Sequence, residues 1–234
     1  MALAPQNKNS GGLDIEALRK DFPCLDQEVR GKPLVYLDNA ATSQICAPAL
    51  EALERFETKD RSNIHRGVHM LSQRATDAYE NARERIGRYI NAREVREIVF
   101  TSGTTEAINL VASSFVAPRM KPGDEILITG MEHHSNIVPW QLLETRLGVV
   151  LKFVPVEDDG SIDLEKFEAA FSDRTSFVSV VHVSNALGTI NPVKKIVDMA
   201  HERNLPVLVD GAQAVPHSRV DMQALGCDFY AFSG

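Results

Sequence analysis

The stretch PVLVD, residues 206–210, runs through four apolar or proline positions and ends on a carboxylate, Asp210. A carboxylate at the mouth of a buried strand is costly to desolvate unless a partner meets it. One natural partner is a protonated pyridine nitrogen, as in pyridoxal 5'-phosphate; a helix cap or a structural ion pair is the plainer use. Gln213, three residues on, can lean over the same space. Other apolar runs also end in polar groups. EIVFT (97–101) is followed by SGTTEAINLVASSF, where Gly103 permits an unusual turn and Thr104 and Thr105 stand at a helix start. Free N–H groups and hydroxyls at a helix N-terminus suit a phosphate, although Ser102 or either threonine could simply cap the helix.

EILIT (125–129) leads into GMEHHSNIVPW, with His133 and His134 adjacent. One imidazole could stack on an aromatic ligand. A metal pair would need a third ligand, and none has a recognisable spacing; a histidine satisfied within its loop is the remaining reading. SFVSVVHV (176–183) runs into SNALGTINP, where Asn185 offers an amide of a type that often serves turns alone. Together, a phosphate cradle, an imidazole, an amide and a carboxylate are what a phosphorylated pyridine with a phenolic oxygen requires. A nucleotide is the competing ligand, but neither the P-loop pattern nor the dinucleotide glycine fingerprint occurs.

These groups need a scaffold that brings strand ends together. From residue 96 on, β-branched runs at 97–101, 125–129, 150–156, 176–183, 206–210 and 228–232 alternate with helical patterns. Near-continuous apolar strands between helices predict an α/β fold, a mostly parallel sheet with helices on both faces. Ligands of such sheets bind beyond the carboxyl ends of the strands. Ala107, Val111 and Phe115 mark the expected buried side of the helix after Gly103. Upstream, Ile15, Leu18 and Phe22 predict a short helix stopped before Pro23, and LVYLDNAATSQ a strand entering a turn. APALEALERFET and SQRATDAYENARERIGRYI carry helical spacing, and the polar RSNIHRGVHMLS between them reads as a loop.

The 234 residues are 44% hydrophobic and 24% charged, an ordinary globular composition. A net charge of −7 argues against a non-specific nucleic-acid surface. No run reaches the ~18–20 apolar residues of a membrane span, and no charged-then-apolar secretory leader opens the sequence. These features, with three widely spaced cysteines (Cys24, Cys46 and Cys227), point to a reducing, cytoplasmic setting. None of the three stands out as a nucleophile.

Seven motifs, LDNAAT, HRGVHMLS, TSGTTEAINLVA, MEHHSNIVPWQ, HVSNALGTINP, VLVDGAQAV and CDFYAFSG, stand in register from about Leu13 onward. In this order they resemble the SufS-type cysteine desulfurases, within the class V aminotransferase-like group of fold-type I pyridoxal-phosphate enzymes. The resemblance implies that Thr104, Thr105 and Ser233 bind the cofactor phosphate and that His133 stacks on the pyridine ring and assists proton transfer. It also implies that Asp210 pairs with the ring nitrogen, and that Asn185 and Gln213 approach the phenolic oxygen. His65, Arg66 and His69 would border the site's mouth, across a dimer interface in one arrangement.

Residues 1–12, polar and Gly-rich, are expected to be a disordered lead-in; by the same resemblance, 13–34 associate with a small domain and 35–234 form a C-terminally truncated large cofactor-binding domain. In the family, His and Lys follow the FSG of residues 232–234, the lysine carrying the cofactor. A cysteine on a mobile loop and a carboxylate-binding arginine come later. The implied activity of the complete enzyme, expected as a homodimer, is conversion of L-cysteine to L-alanine. The sulfur would pass as a persulfide to an acceptor protein for iron–sulfur cluster or cofactor assembly. Without the lysine and the nucleophilic cysteine, this chain is expected to be inactive alone. Selenocysteine lyase, another class V relative, and a non-catalytic truncated product are the alternatives.

Overall fold

The computed structural model describes residues 13–233, so the expected disordered lead-in at 1–12 lies outside the described residues. The chain divides into two compact units, Met1–Glu80 and Asn81–Gly234. In the first unit, helix α1 (Ile15–Arg19) is capped by Asp14, which accepts from Ala17 N at 3.1 Å. A two-stranded antiparallel hairpin, β1 (Glu28–Val29) and β2 (Lys32–Pro33), follows. Its turn places Arg30 and Gly31 at φ of 56° and 72°, the left-handed pair that a tight two-residue hairpin needs. The strand expected in LVYLD does not form: Val35 and Leu37 are exposed, and no ladder partner lies beside them among the described residues. Helix α2 (Ala47–Arg55) continues into a π-turn at Phe56–Asp60, and the long helix α3 begins at Met70 and ends at Tyr89. The His-rich loop between them folds on itself. Gly67 N donates to Ser72 Oγ at 3.0 Å, that hydroxyl donates to Asn63 O at 2.6 Å, and His65 Nε2 lies 3.3 Å from Glu80.

The second unit is built on a five-stranded, wholly parallel sheet. Its elements are α4 (Thr104–Val111), β3 (Glu125–Thr129), α5 (Val138–Leu147), β4 (Val150–Val154), α6 (Leu164–Ala169), β5 (Thr175–Val181), α7 (Val193–His201), β6 (Val207–Asp210), α8 (Met222–Leu225) and β7 (Phe229–Ala231). The spatial order is β4-β3-β5-β6-β7. The chain therefore steps from β3 outward to β4, then crosses to the other side of β3 and continues in the opposite direction. That reversal opens a crevice at the carboxyl ends of β3 and β5, where such sheets bind ligands.

Alternate strand residues feed two cores, as a parallel sheet covered on both faces demands. Leu127, Val178, Val180, Val207 and Val209 pack with Phe167 of α6 and Ile196 of α7. Ile126, Ile128, Phe177 and Leu208 pack on the opposite side with Ile108 of α4 and Trp140 of α5. The deeply buried positions of α4 and the turn beyond it are Ile108, Ala112 and Val116, with the expected Ala107, Val111 and Phe115 flanking them half-buried. No helix of the described residues is long and apolar enough to cross a membrane.

A second expected strand, EIVFT, is absent as well. Val95–Glu97 form a short 3-10 turn, and residues 98–101 are extended but unladdered. Composition alone does not make a strand; it needs a backbone partner. Residues 98–101 face the outer edge of β7 across a cleft of about 680 Å³, lined by Val99, Phe100 and Thr101 on one side and by Cys227, Tyr230 and Ala231 on the other. On its inner side β7 lies tight against β6: Gly211 N donates to Ala231 O at 2.7 Å. A Cβ on Gly211 would overlap the Tyr230 ring. Gly211→Ala should therefore destabilise this unit by about 1–3 kcal/mol, as overpacking does, read as a lowered urea midpoint without a change in slope.

Candidate active site

Each strand-end turn delivers one polar group, and local geometry explains how. Gly103 has φ 141°, a conformation closed to side-chain-bearing residues, and it is the N-cap of α4 with no side-chain capping bond. Neither Ser102 nor the threonines are used as the cap, so the capping alternative does not hold. The helix's first amide instead meets Ser233: Thr104 N donates to Ser233 Oγ at 3.4 Å, and the hydroxyls of Thr104 and Ser233 lie 2.9 Å apart. Two hydroxyls and a helix N-terminus converge there from sequence positions 129 residues apart. Thr105 is exposed beside them.

Asp210, the last residue of β6, is 2% exposed. Its Oδ1 accepts from Ala212 N at 3.0 Å. Burial pushes its carboxyl above the usual range, and the Ala212 N–H and the nearby His133 pull it partly back. His133 lies on the turn after β3 with its ring exposed, and its Nδ1 is engaged by Ser135 Oγ at 2.8 Å and Ser135 N at 3.2 Å. The loop-satisfied reading thus describes one edge of this ring and leaves the rest of it open. Gln213 is half-buried on the turn after β6. Asn185 is exposed in the loop after β5, and no hydrogen bond among the described residues ties its amide or the Thr105 hydroxyl to the other candidates. Cys227 is half-buried, and its thiol is pushed up to about 12, first by desolvation and then by the Asp228 charge. It is a neutral packing group, not a nucleophile.

Sequence reasoning passed over the group at the centre of the crevice. Glu132, 8% exposed, accepts from Thr129 Oγ1 at 2.5 Å, from Asn136 Nδ2 at 2.6 Å and from Val181 N at 3.0 Å. Asn136 Oδ1 in turn accepts from Trp140 Nε1 at 3.1 Å and Ser179 Oγ at 2.6 Å. Burial pushes the Glu132 carboxyl up to about 7 against the pull of its hydrogen bonds, and the Asp210 charge adds to the rise. The available signal was an acid directly before the imidazole and an amide four residues after that acid. His182 and Tyr230 also went unnoticed. They form a pair beside Asp210, Nδ1 to Oη 2.9 Å, and burial lowers the imidazole's pKa and raises the phenol's.

Residues 35–234 match the aminotransferase class-V family. The chain belongs to that family. It is 53% identical over 222 residues to a probable cysteine desulfurase of Halalkalibacterium halodurans, covering 95% of this chain and 55% of the relative. A cysteine desulfurase of Synechococcus elongatus is 51% identical, over 95% of this chain and 36% of the relative. In structure, the apo cysteine desulfurase of Thermococcus onnurineus superposes with a TM-score of 0.87 at 40% identity, covering 96% of this chain and 54% of that one. The chain thus spans about half the length, or less, of the relatives it matches.

Aminotransferase class-V members use pyridoxal phosphate, and the residues present fit it. A desolvated carboxylate suits a protonated ring nitrogen, an open imidazole face suits the ring, and a helix N-terminus with paired hydroxyls suits the phosphate.

The buried Glu132 carboxyl makes a signed prediction for this class-V chain. Its folded value of about 7 lies above its ordinary 4.5. Its contribution to stability is therefore full below pH 4.5 and lost as pH rises through 7. Glu132→Gln removes this titration. Its stability deficit relative to the unmodified chain should shrink by about 3 kcal/mol across that window, measured by urea denaturation at a series of pH values.

Proposed function

We propose that this chain supplies the cofactor site of a pyridoxal-phosphate-dependent cysteine desulfurase of the SufS type. The complete enzyme would convert L-cysteine to L-alanine and hand the sulfur, as a persulfide, to an acceptor protein for iron–sulfur cluster or cofactor assembly. A homodimer in the cytoplasm is the proposed setting, with residues 13–34 beside a small domain and the loop bearing His65, Arg66 and His69 at the mouth of the site. The desulfurase relatives at about half identity support the reaction class. The structure of SspA in complex with cysteine, 26% identical to this chain with a TM-score of 0.80, supports the substrate class. The observation that carries the reading is the buried, strand-terminal Asp210 set beside the exposed imidazole of His133.

When bound, the cofactor supplies an electron sink for the bonds at the substrate Cα. The residues do the rest. Asp210 would hold the proton on the ring nitrogen, and burial would make that charge pair strong because water could not screen it. His133 would stack on the ring and assist proton transfer. Thr104, Thr105 and Ser233 would hold the phosphate at the α4 N-terminus. Asn185 and Gln213 would hydrogen-bond the phenolic oxygen. No lysine stands among these residues, so their contribution is binding, orientation and proton holding, and turnover by the chain alone is not expected.

Pyridoxal phosphate should quench the fluorescence of Trp140, the only tryptophan, in a saturable titration. Asp210→Ala and Thr104→Val should each weaken that binding about tenfold or more, the loss expected when a charge-assisted or phosphate hydrogen bond is removed. Absence of saturable binding, or production of alanine from cysteine by this pure chain, would overturn the reading.

A further inference from the structure

We propose that Glu132 and Asn136 form a clamp that positions the His133 imidazole, and that the clamp works through the polarity of its hydrogen bonds. The proposal rests on the cofactor reading for its purpose and on the following geometry for its form.

His133 sits between two buried residues, Glu132 at 8% and Asn136 at 0% exposure, that bond each other directly. The turn they close also carries Asn136 N to His133 O at 2.7 Å, and the ring's Nδ1 edge is tied to Ser135 inside it. The ring cannot swing without breaking its bonds to Ser135, and the turn that carries it is held by the rest. The clamp is anchored outside the turn as well. Glu132 reaches the end of β3 through Thr129 and the end of β5 through Val181 N, so it spans the two strands between which the sheet reverses. Asn136 is anchored by Ser179 of β5 and Trp140 of α5.

Donor and acceptor accounting leaves one arrangement. Val181 N–H and Trp140 Nε1–H can only donate. Asn136 must therefore turn its oxygen to Trp140 and its amide nitrogen to residue 132. Residue 132 must accept at both of its terminal atoms, from Val181 on one and from Asn136 on the other. A glutamine cannot do so: whichever way it turns, its NH₂ meets a donor, and a buried donor left without an acceptor is costly. Glu132 can also take up a proton without disturbing the clamp, because Thr129 Oγ1 can turn from donor to acceptor. The exchange Glu132→Gln with Asn136→Asp moves the carboxylate one side chain along and again gives every donor an acceptor.

The test uses the 234-residue chain with pyridoxal phosphate as probe and two readouts. One is the circular dichroism induced in the bound cofactor, which reports ring orientation. The other, independent of cofactor, is the His133 Cε1–H resonance. Glu132→Gln should abolish the induced band, as His133→Ala should also do, and move the His133 line to that of a mobile histidine. The exchange pair should restore both. An unchanged band and line in Glu132→Gln would overturn the proposal. So would an exchange pair that folds without restoring them, or that fails to fold, since its bonds are all matched. Should Glu132→Gln alone not fold, the exchange pair decides. If the unmodified chain shows no induced band, the cofactor reading fails, and the histidine line alone decides the clamp.

Discussion

Two carboxylates, Glu132 and Asp210, are buried at neighbouring strand ends, where burial raises the cost of charge on both and the Asp210 charge adds to the cost at Glu132. Ionising both without compensation in a low-dielectric interior is prohibitive. The local architecture answers that constraint. Glu132 is wrapped by three donors, from two strand ends and one turn, and its proton affinity sits near neutrality. Asp210 has only the Ala212 N–H and the nearby imidazole to offset its burial. The two acids thus differ in how fully they are met: Glu132 by three donors, Asp210 by one hydrogen bond and a neighbouring ring.

The sheet order is what makes this division geometrically possible. Because β3 and β5 are neighbours whose following segments diverge, their carboxyl ends leave room for a turn to dip between them. Glu132 fills that space and turns a topological gap into a hydrogen-bonded floor. β6, one strand further on, presents Asp210 beside it, in register with Val181. Tight approach of β7 then requires a side-chain-free residue at 211, so the turn leaving Asp210 is pinned by the Tyr230 ring over it.

Much of this was legible in the chain. EILIT matched β3 residue for residue, the runs at 150–156, 206–210 and 228–232 each contain an observed strand, and the run at 176–183 overlaps β5, which starts one residue earlier at Thr175, because buried parallel strands need continuous apolar composition. Asp210 was legible since a carboxylate that ends such a run stands out against its surroundings. What could not be read were properties that depend on partners. EIVFT has strand composition but no ladder, and LVYL likewise, whereas the β1–β2 hairpin forms in a polar stretch with little apolar signal because Arg30 and Gly31 make its turn. Glu132 escaped notice for a similar reason. Its sequence position suggests a solvated loop acid, and only Val181, 49 residues away, reveals that it is interior.

The meeting of the α4 N-terminus with Ser233 has an implication for the order of events in time. Its two halves, Thr104 and Ser233, are separated by 129 residues. At roughly 5–20 residues per second of synthesis, the α4 N-terminus emerges on the order of ten seconds before its partner hydroxyl exists. Ser233 follows β7, which is held in the sheet by its pairing with β6. Completion of the hydroxyl pair therefore reports that β7 has docked on β6. A ligand that needs both hydroxyls would select, at the moment of binding, for chains that have finished that step.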